Sequence, residues 1–581
     1  MKKITIKISF LFFAVLAFPN IYAQNDVLDV VFVPCQEMPN IIVQHDADFK
    51  SLTIAYIVES SPERNRRFQE LSKHYLDRLK DIDFTSLPLE CKADYILFKR
   101  DLEESIRSLE VQDSEYKKLV EWFPFAEKVF GYEKIRRKGG ELDAKELALE
   151  LHEMTKEIEG LQGKLKKAED LTIPSIYTAG SVIGDLRKAL ESVYEFYNGY
   201  DPLFTWWVPM PYEELDAALL EYSEEFQDKL QSPGFKMDDS GIVGKPVGRD
   251  ELIRALRYNM IPYSPEELIE IAEKELAWSQ KQILQASREM GHGENWKAAS
   301  EEVKEAYVEP GKQPQVIMRL FEESMNFIKK HDLLTIPPLA EEAWGLKMMS
   351  PERQLVNPFF TGGTSISISY PTNTMEIDDR MMSMRGNNPH FSRATVHHES
   401  IGGHHFQRYM NNRSRTYRDF GTPFWHEGNA LYWEFLLYDM GFPESPEDKI
   451  GMLFWRMHRS ARVIFSLNFH LGNWTPQESI DFLVDRVNFE RANAEAEVRR
   501  SFTTHYSPLY QLAYMMGGLQ FWALKEEVVD QGNMSLKEYH DSILELNAMP
   551  VEMVRAILTK QNLEKDFKTS WEFYKDIEKR L

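Results

Sequence analysis

The chain has 581 residues, 43% hydrophobic and 12% aromatic, which suits a large buried core and excludes a disordered polymer. Its 69 Lys and Arg stand against 92 Asp and Glu, a net charge of −23, with no long basic run. Nucleic acid and anionic membrane surfaces need clustered cations, so neither is expected as a partner.

Met1 to Ala23 reads as a secretory signal: Lys2, Lys3 and Lys7 precede an apolar run of 11 residues, Ile8 to Phe18, too short to span a bilayer. No cysteine lies near Ala23 to support a lipid anchor, and no later stretch resembles a membrane span. The expectation is an exported protein without stable membrane insertion, periplasmic or secreted. The two cysteines, Cys35 and Cys91, lie 56 residues apart and lack a metal-ligand pattern. Their spacing alone does not define a bridge.

Residues 24–340 read as an N-terminal helical region and 341–581 as the region carrying the chemistry, the two packed around one cleft. From about Asn65 to Asp332 the apolar spacing is helical. It is clearest at Leu147, Leu151, Met154, Ile158, Leu161 and Leu165, behind a capping box of Asp143 and Glu146. Ser264-Pro265-Glu266-Glu267 opens another helix. Between them, Pro202, Pro209 and Pro211 are expected to interrupt the helices with an aromatic connector. Near Pro337 the texture changes. Thr364 to Tyr370 alternates strictly, placing Ile366, Ile368 and Tyr370 on one face of a strand. Helices resume near Ser392, with starts at Ser445, Thr475 and Ser535. The expected fold is mainly α, large and metallopeptidase-like, with a small antiparallel β element near 364–370.

Six of the 15 histidines fall between His390 and His426. Zinc hydrolases commonly use two histidines and a carboxylate, with a fourth position open to water. In a His-Glu-x-x-His helix both histidines face one way, and the glutamate is placed to take a proton from water. This chain departs from that spacing. His404 lies six residues after His398, about 120° off its face in a straight helix. His398 and His405 share a face, but stand about 10.5 Å apart along the axis. Gly402-Gly403 offers the way out: looped from the helix, it returns His404 to the place one turn beyond His398. Glu427 and Glu434, seven apart on a following helix, supply carboxylates. Glu427, nearer the helix start, is the expected ligand, and Glu434 the residue that orients a ligand histidine. His405 and Gln407 are expected to support the ligands.

The pattern His398-Glu399-x-x-Gly402-Gly403-His404-His405-x-Gln407, followed by Glu427-Gly428-x-Ala430-Leu431-Tyr432-x-Glu434, resembles the bacterial domain of unknown function 885 family. The likeness runs on through Arg462, His470, Trp474-Thr475, Glu497 to Arg500, Pro508 and Ala513 to Gly517, covering about 340–530. Such proteins look like gluzincin-type zinc metallopeptidases. The resemblance implies one zinc ion per chain, held by His398, His404 and Glu427, with Glu399 as general base. It also implies Tyr514 as a donor to the oxyanion; in the resulting mechanism His505 is expected to join it. Gly402 stands where proline is usual, Asn429 for a tryptophan and Ser466 for an aspartate, departures that bear on substrate preference.

The resulting reading is a zinc-dependent hydrolase of peptide amide bonds or another small amide. Arg499 or Arg500 would hold a terminal carboxylate, and the strand carrying Ile368 and Tyr370 would pair with an extended peptide. The alternatives are a metal-free peptide- or glycan-binding protein on the same scaffold, and a zinc hydrolase of a non-peptide amide or ester.

Overall fold

Local capping chemistry sets where many helices start. The computed structural model describes residues 36–236, 238–356, 361–363, 365–503 and 506–577. Met1 to Ala23, the stretch expected to be a secretory signal, and Cys35, Thr364 and His505 lie outside these. Helix α1 (Leu89–Lys117) carries Cys91, which is buried and disulfide-bonded. Helix α2 (Ala144–Leu165) begins where the Asp143 carboxylate accepts from the Lys145 and Glu146 N–H groups. It buries Leu147, Leu151, Met154, Ile158 and Leu165, the expected stripe. The capping boxes at Ser264, Thr475 and Ser535 form with both reciprocal bonds.

The prolines at 202–211 do not break the helices. Pro202 opens α3 (Pro202–Trp207) and Pro209 opens α4 (Pro209–Asp228). Pro211 is the third residue of α4. In a first turn a missing N–H costs nothing, because that donor has no partner within the helix. The aromatic connector is correspondingly open, with Trp206 80% exposed.

The β element is smaller than expected and of the other polarity. Strand β1 (Leu346–Met348) pairs in parallel with β2 (Ile366–Ile368), in the register Leu346↔Ile366. The segment between them contains the helix Pro351–Val356, a crossover long enough to return the chain in the same direction. An isolated antiparallel bridge, Thr361↔Ser367, occupies the other edge of β2. Ile366, Ser367 and Ile368 are all buried, so the alternation does not mark a half-exposed strand.

Among the described residues, two apolar cores organise the helices. The smaller gathers Leu147, Ile158, Ile176, Leu186, Leu215 and Phe226, within the stretch from Val58 to Val243. The larger runs from Met38 to Ile577, so the first helices share a core with the last. Ion pairs reinforce this sharing: Arg418 Nε lies 2.7 Å from Asp94 Oδ1, and Arg415 Nε 2.7 Å from Glu90 Oε2. They tie α1 to the loop that leads into the glutamate helix. No helix among the described residues is long and apolar enough to cross a membrane.

Candidate metal centre

Asn388 caps the first histidine helix, α5 (Pro389–Glu399), by accepting from the His390 and Phe391 N–H groups. The chain leaves the helix at Ser400, passes Gly402 at φ +99° and restarts as α6 (His404–Asn411). A Cβ on Gly403 would collide with the carbonyl oxygen of His398, and one on Gly402 would lie 3.2 Å from the Trp433 ring. The glycine pair therefore does more than stop a helix. It lets the backbone turn tightly over the last turn of α5, and this turn brings His404 back to His398. Their rings stand 4.9 Å apart and nearly perpendicular, at 84°.

The carboxylates arrive on α7 (Pro423–Asp439), which Thr422 caps by accepting from the Trp425 N–H. Glu427 Oε2 lies 3.1 Å from His404 Nε2 and 3.4 Å from His398 Nε2. Two turns on, Glu434 Oε1 lies 2.7 Å from His398 Nδ1 and orients that ring. The helix behind the site, α8 (Tyr510–Lys525), crosses α7 at glycines: a Cβ on Gly428 would stand 2.5 Å from the Gly517 backbone. This close approach lets the Tyr510 hydroxyl donate to Glu427 Oε1 at 2.7 Å.

Burial opposes charge on each of these groups, yet the pairing prevails. Against that burial, the hydrogen bonds of Glu427 and Glu434 lift His398 to about 9. Glu427 likewise raises His404, and the two histidines hold Glu427 well below the usual carboxylate range. Two imidazoles thus converge on one carboxylate oxygen, the donor set that suits a zinc-type ion, whose binding would displace their protons.

Glu399 faces the same space. One atom each from His398, Glu399 and His404 lie within 4.8 Å of one another, so two carboxylates compete for the ligand position. They differ in their surroundings. Glu427 is shared by both imidazoles and anchored by Tyr510. Glu399 Oε2 is buried with no hydrogen-bond partner among the described residues, while the Gly362 backbone lies so close that a Cβ there would overlap it. The first arrangement suits a ligand, the second a base awaiting a proton donor. His398, Glu399, His404, Glu427 and Tyr510 line a cleft of about 450 Å³.

A family model described as "Bacterial protein of unknown function (DUF885)" matches residues 55–558. The chain belongs to this family. No curated protein matches it. Two solved structures share the DUF885 chain's fold. A "putative lipoprotein of unknown function from Shewanella oneidensis" has a TM-score of 0.63 at 13% identity, covering 90% of this chain and all (100%) of that one. A "putative lipoprotein from Colwellia psychrerythraea" has a TM-score of 0.57 at 14% identity, covering 90% of this chain and 98% of that one.

Of the residues expected at this DUF885 site, His398, His404, Glu399, Glu427, Glu434 and Tyr514 come together. Tyr514 stacks on the His398 ring at 6.2 Å, and its hydroxyl is 3.1 Å from that of Tyr510. Gln407 also belongs: its Oε1 lies 3.3 Å from His404 Nδ1, and its Nε2 donates to the His426 carbonyl and to Asn429. Asn429, the departure from tryptophan, thus helps hold the residue that orients His404.

Other expectations are corrected. His405 turns away and donates to the Ala340 carbonyl at 2.9 Å, because at the start of α6 it points across the helix from His404. Arg499 is exposed and outside the cleft, whereas Arg500, the next residue round α9 (Arg491–Thr503), lines it. Ile368 is buried and both edges of its strand are taken, and neither it nor Tyr370 lines the cleft, so peptide addition to β2 is not available. Sequence reasoning missed Tyr510, although its place one turn before Tyr514 was a usable signal. It also missed Gly362 and Arg459, for which no local pattern exists.

Proposed function

We propose that this DUF885 protein is an exported zinc-dependent hydrolase that cleaves peptide amide bonds. The observation that carries the reading is the convergence of two imidazole Nε2 atoms on Glu427 Oε2, each Nδ1 meanwhile lying beside Glu434 or Gln407. His398, His404 and Glu427 would hold the ion. A zinc ion held there would lower the pKa of water and polarise the scissile carbonyl.

The remaining steps fall to the chain's own groups. Glu399 takes a proton from the attacking water as the water oxygen bonds to the carbonyl carbon. When the carbon–nitrogen bond breaks, the same carboxyl hands that proton to the leaving amine, so one water is consumed per bond cleaved. Burial and the neighbouring Glu427 carboxylate raise the Tyr514 phenol, which stays protonated and able to donate to the oxyanion. Tyr510, engaged with Glu427, fixes the carboxylate instead. Export is supported by the signal-like Met1 to Ala23 and by the descriptions of both structural neighbours as lipoproteins.

Metal analysis and turnover test this directly. The purified protein should carry one zinc per chain, lost in both His398→Ala and His404→Ala. Glu399→Gln should keep the metal while kcat falls by about 10²–10⁴-fold. Full zinc in both histidine variants, or unchanged turnover in Glu399→Gln, would overturn the reading.

A further inference from the structure

The wall of the cleft beside the histidines carries two buried guanidinium groups, Arg459 and Arg462, with unmet donors. Arg459 and Arg462 lie three residues apart on α10 (Pro446–His470), the helix packed against α5 and α8, and both line the cleft with Arg500. Their side chains are only 7% and 5% exposed. Glu497 serves two of the three cations, with its oxygens 2.7 Å from Arg462 Nε and 2.9 Å from Arg500 Nε. Arg459 reaches Glu434 only at 3.9 Å, and Glu434 is already committed to His398. Arg462 Nη1 and Arg459 Nε are buried without a hydrogen-bond partner among the described residues. Guanidinium stays charged when buried, and a buried donor left unmet keeps its full desolvation cost, so this wall is poised for an anion.

Its position relative to the metal centre narrows the choice of anion. Arg459 and Arg462 lie 4.8 and 4.7 Å from the centre of the Tyr514 ring, which itself stacks on His398 at 6.2 Å. One aromatic ring therefore separates the cations from a metal-ligating imidazole: the two distances bound the gap at about 11 Å, and once a guanidinium–carboxylate contact takes about 4 Å of it, one or two residues of extended chain at about 3.3–3.6 Å each fill the rest. We infer that Arg459, Arg462 and Arg500 form the subsite for the free C-terminal carboxylate of a peptide, so that cleavage falls one or two residues from that end. The inference rests on the hydrolase reading for the bond cleaved, but the carboxylate subsite stands on its own geometry. Of the two arginines expected in this role it keeps Arg500, and it puts the α10 pair in the place of Arg499.

Two tripeptide libraries lacking Asp and Glu, one with free C-termini and one amidated, test this on the zinc-loaded protein. A third library, amidated but carrying Glu, separates a terminal carboxylate from an acidic side chain. Mass spectrometry should show the free-acid library cleaved at least about tenfold faster than either amide, as expected when a charged hydrogen bond is lost. Arg462→Gln and the milder Arg500→Gln, each checked for an intact melting transition, should reduce that preference towards unity. Thermal stabilisation of Glu399→Gln by the same libraries gives a readout independent of turnover, and only the free acids should raise its Tm. Stabilisation by free acids without cleavage in the wild type would leave the subsite standing and remove the hydrolase reading. Equal cleavage or equal stabilisation by free acids and amides, an equal effect of the Glu-containing amides, or no stabilisation by free acids would overturn the subsite.

Discussion

The two cores bury different chemistry. From residue 116 to 243, the stretch that forms most of the smaller core, Glu133 and Ser175 are the buried polar side chains among the described residues. The larger core encloses His397, His398, Gln407, Asn429, Glu434, His458, Arg459, Arg462 and Glu497 among its aromatic and aliphatic groups. Desolvating such groups costs free energy unless each finds a partner. The contrast teaches that the smaller core is a packing solution, whereas the larger is built around a buried polar network.

Substitutions should separate the two. The largest effect is expected from Gly403→Ala, whose methyl would collide with the His398 carbonyl and push His404 off its position. Zinc affinity should fall by about 100-fold or more, beyond the usual loss for a supporting residue. Competition with a chromophoric chelator measures it, and wild-type affinity would mean the glycine turn does not place His404. Next, Leu151→Ala in the smaller core should cost about 2–5 kcal/mol in unfolding free energy while zinc content and turnover per folded molecule stay unchanged. A parallel loss of zinc would show that the cores are not separable.

A smaller effect concerns acid stability. Burial would raise Glu497, but Arg462 and Arg500 outweigh it and hold its carboxyl below the usual range. A carboxylate depressed in the folded state contributes stability that is present above its unfolded value of about 4.3 and is lost as pH falls further. Melting curves from about pH 6 down to pH 3 should therefore drop less steeply for Glu497→Gln than for the wild type. Identical slopes would remove Glu497 from the account.

Much of the architecture was legible in local chemistry. The stripe of α2, the boxes at Ser264, Thr475 and Ser535, and the break at Gly402-Gly403 are decided within a few residues. The same local logic misled where context reversed it. Pro202 and Pro209 start helices because their missing N–H groups fall in a first turn. The alternating strand is buried throughout because both its edges and faces are covered. The His-Glu motif pointed to His398, Glu399, His404 and Glu427, yet it also suggested His405 as a support for the ligands, and only the fold, which turns it to the Ala340 carbonyl, removes it.

By itself, then, the sequence determined a largely helical chain and a pair of histidines that two glycines could reunite, since capping, periodicity and left-handed backbone are short-range matters. Only the tertiary structure decided that Glu427 meets both imidazoles, that Tyr510 anchors it, and that Arg459 and Arg462 flank Tyr514. Those contacts join helices that lie apart in the chain, and they depend on how closely the helices cross. At Gly428 and Gly517 the missing side chains set that distance.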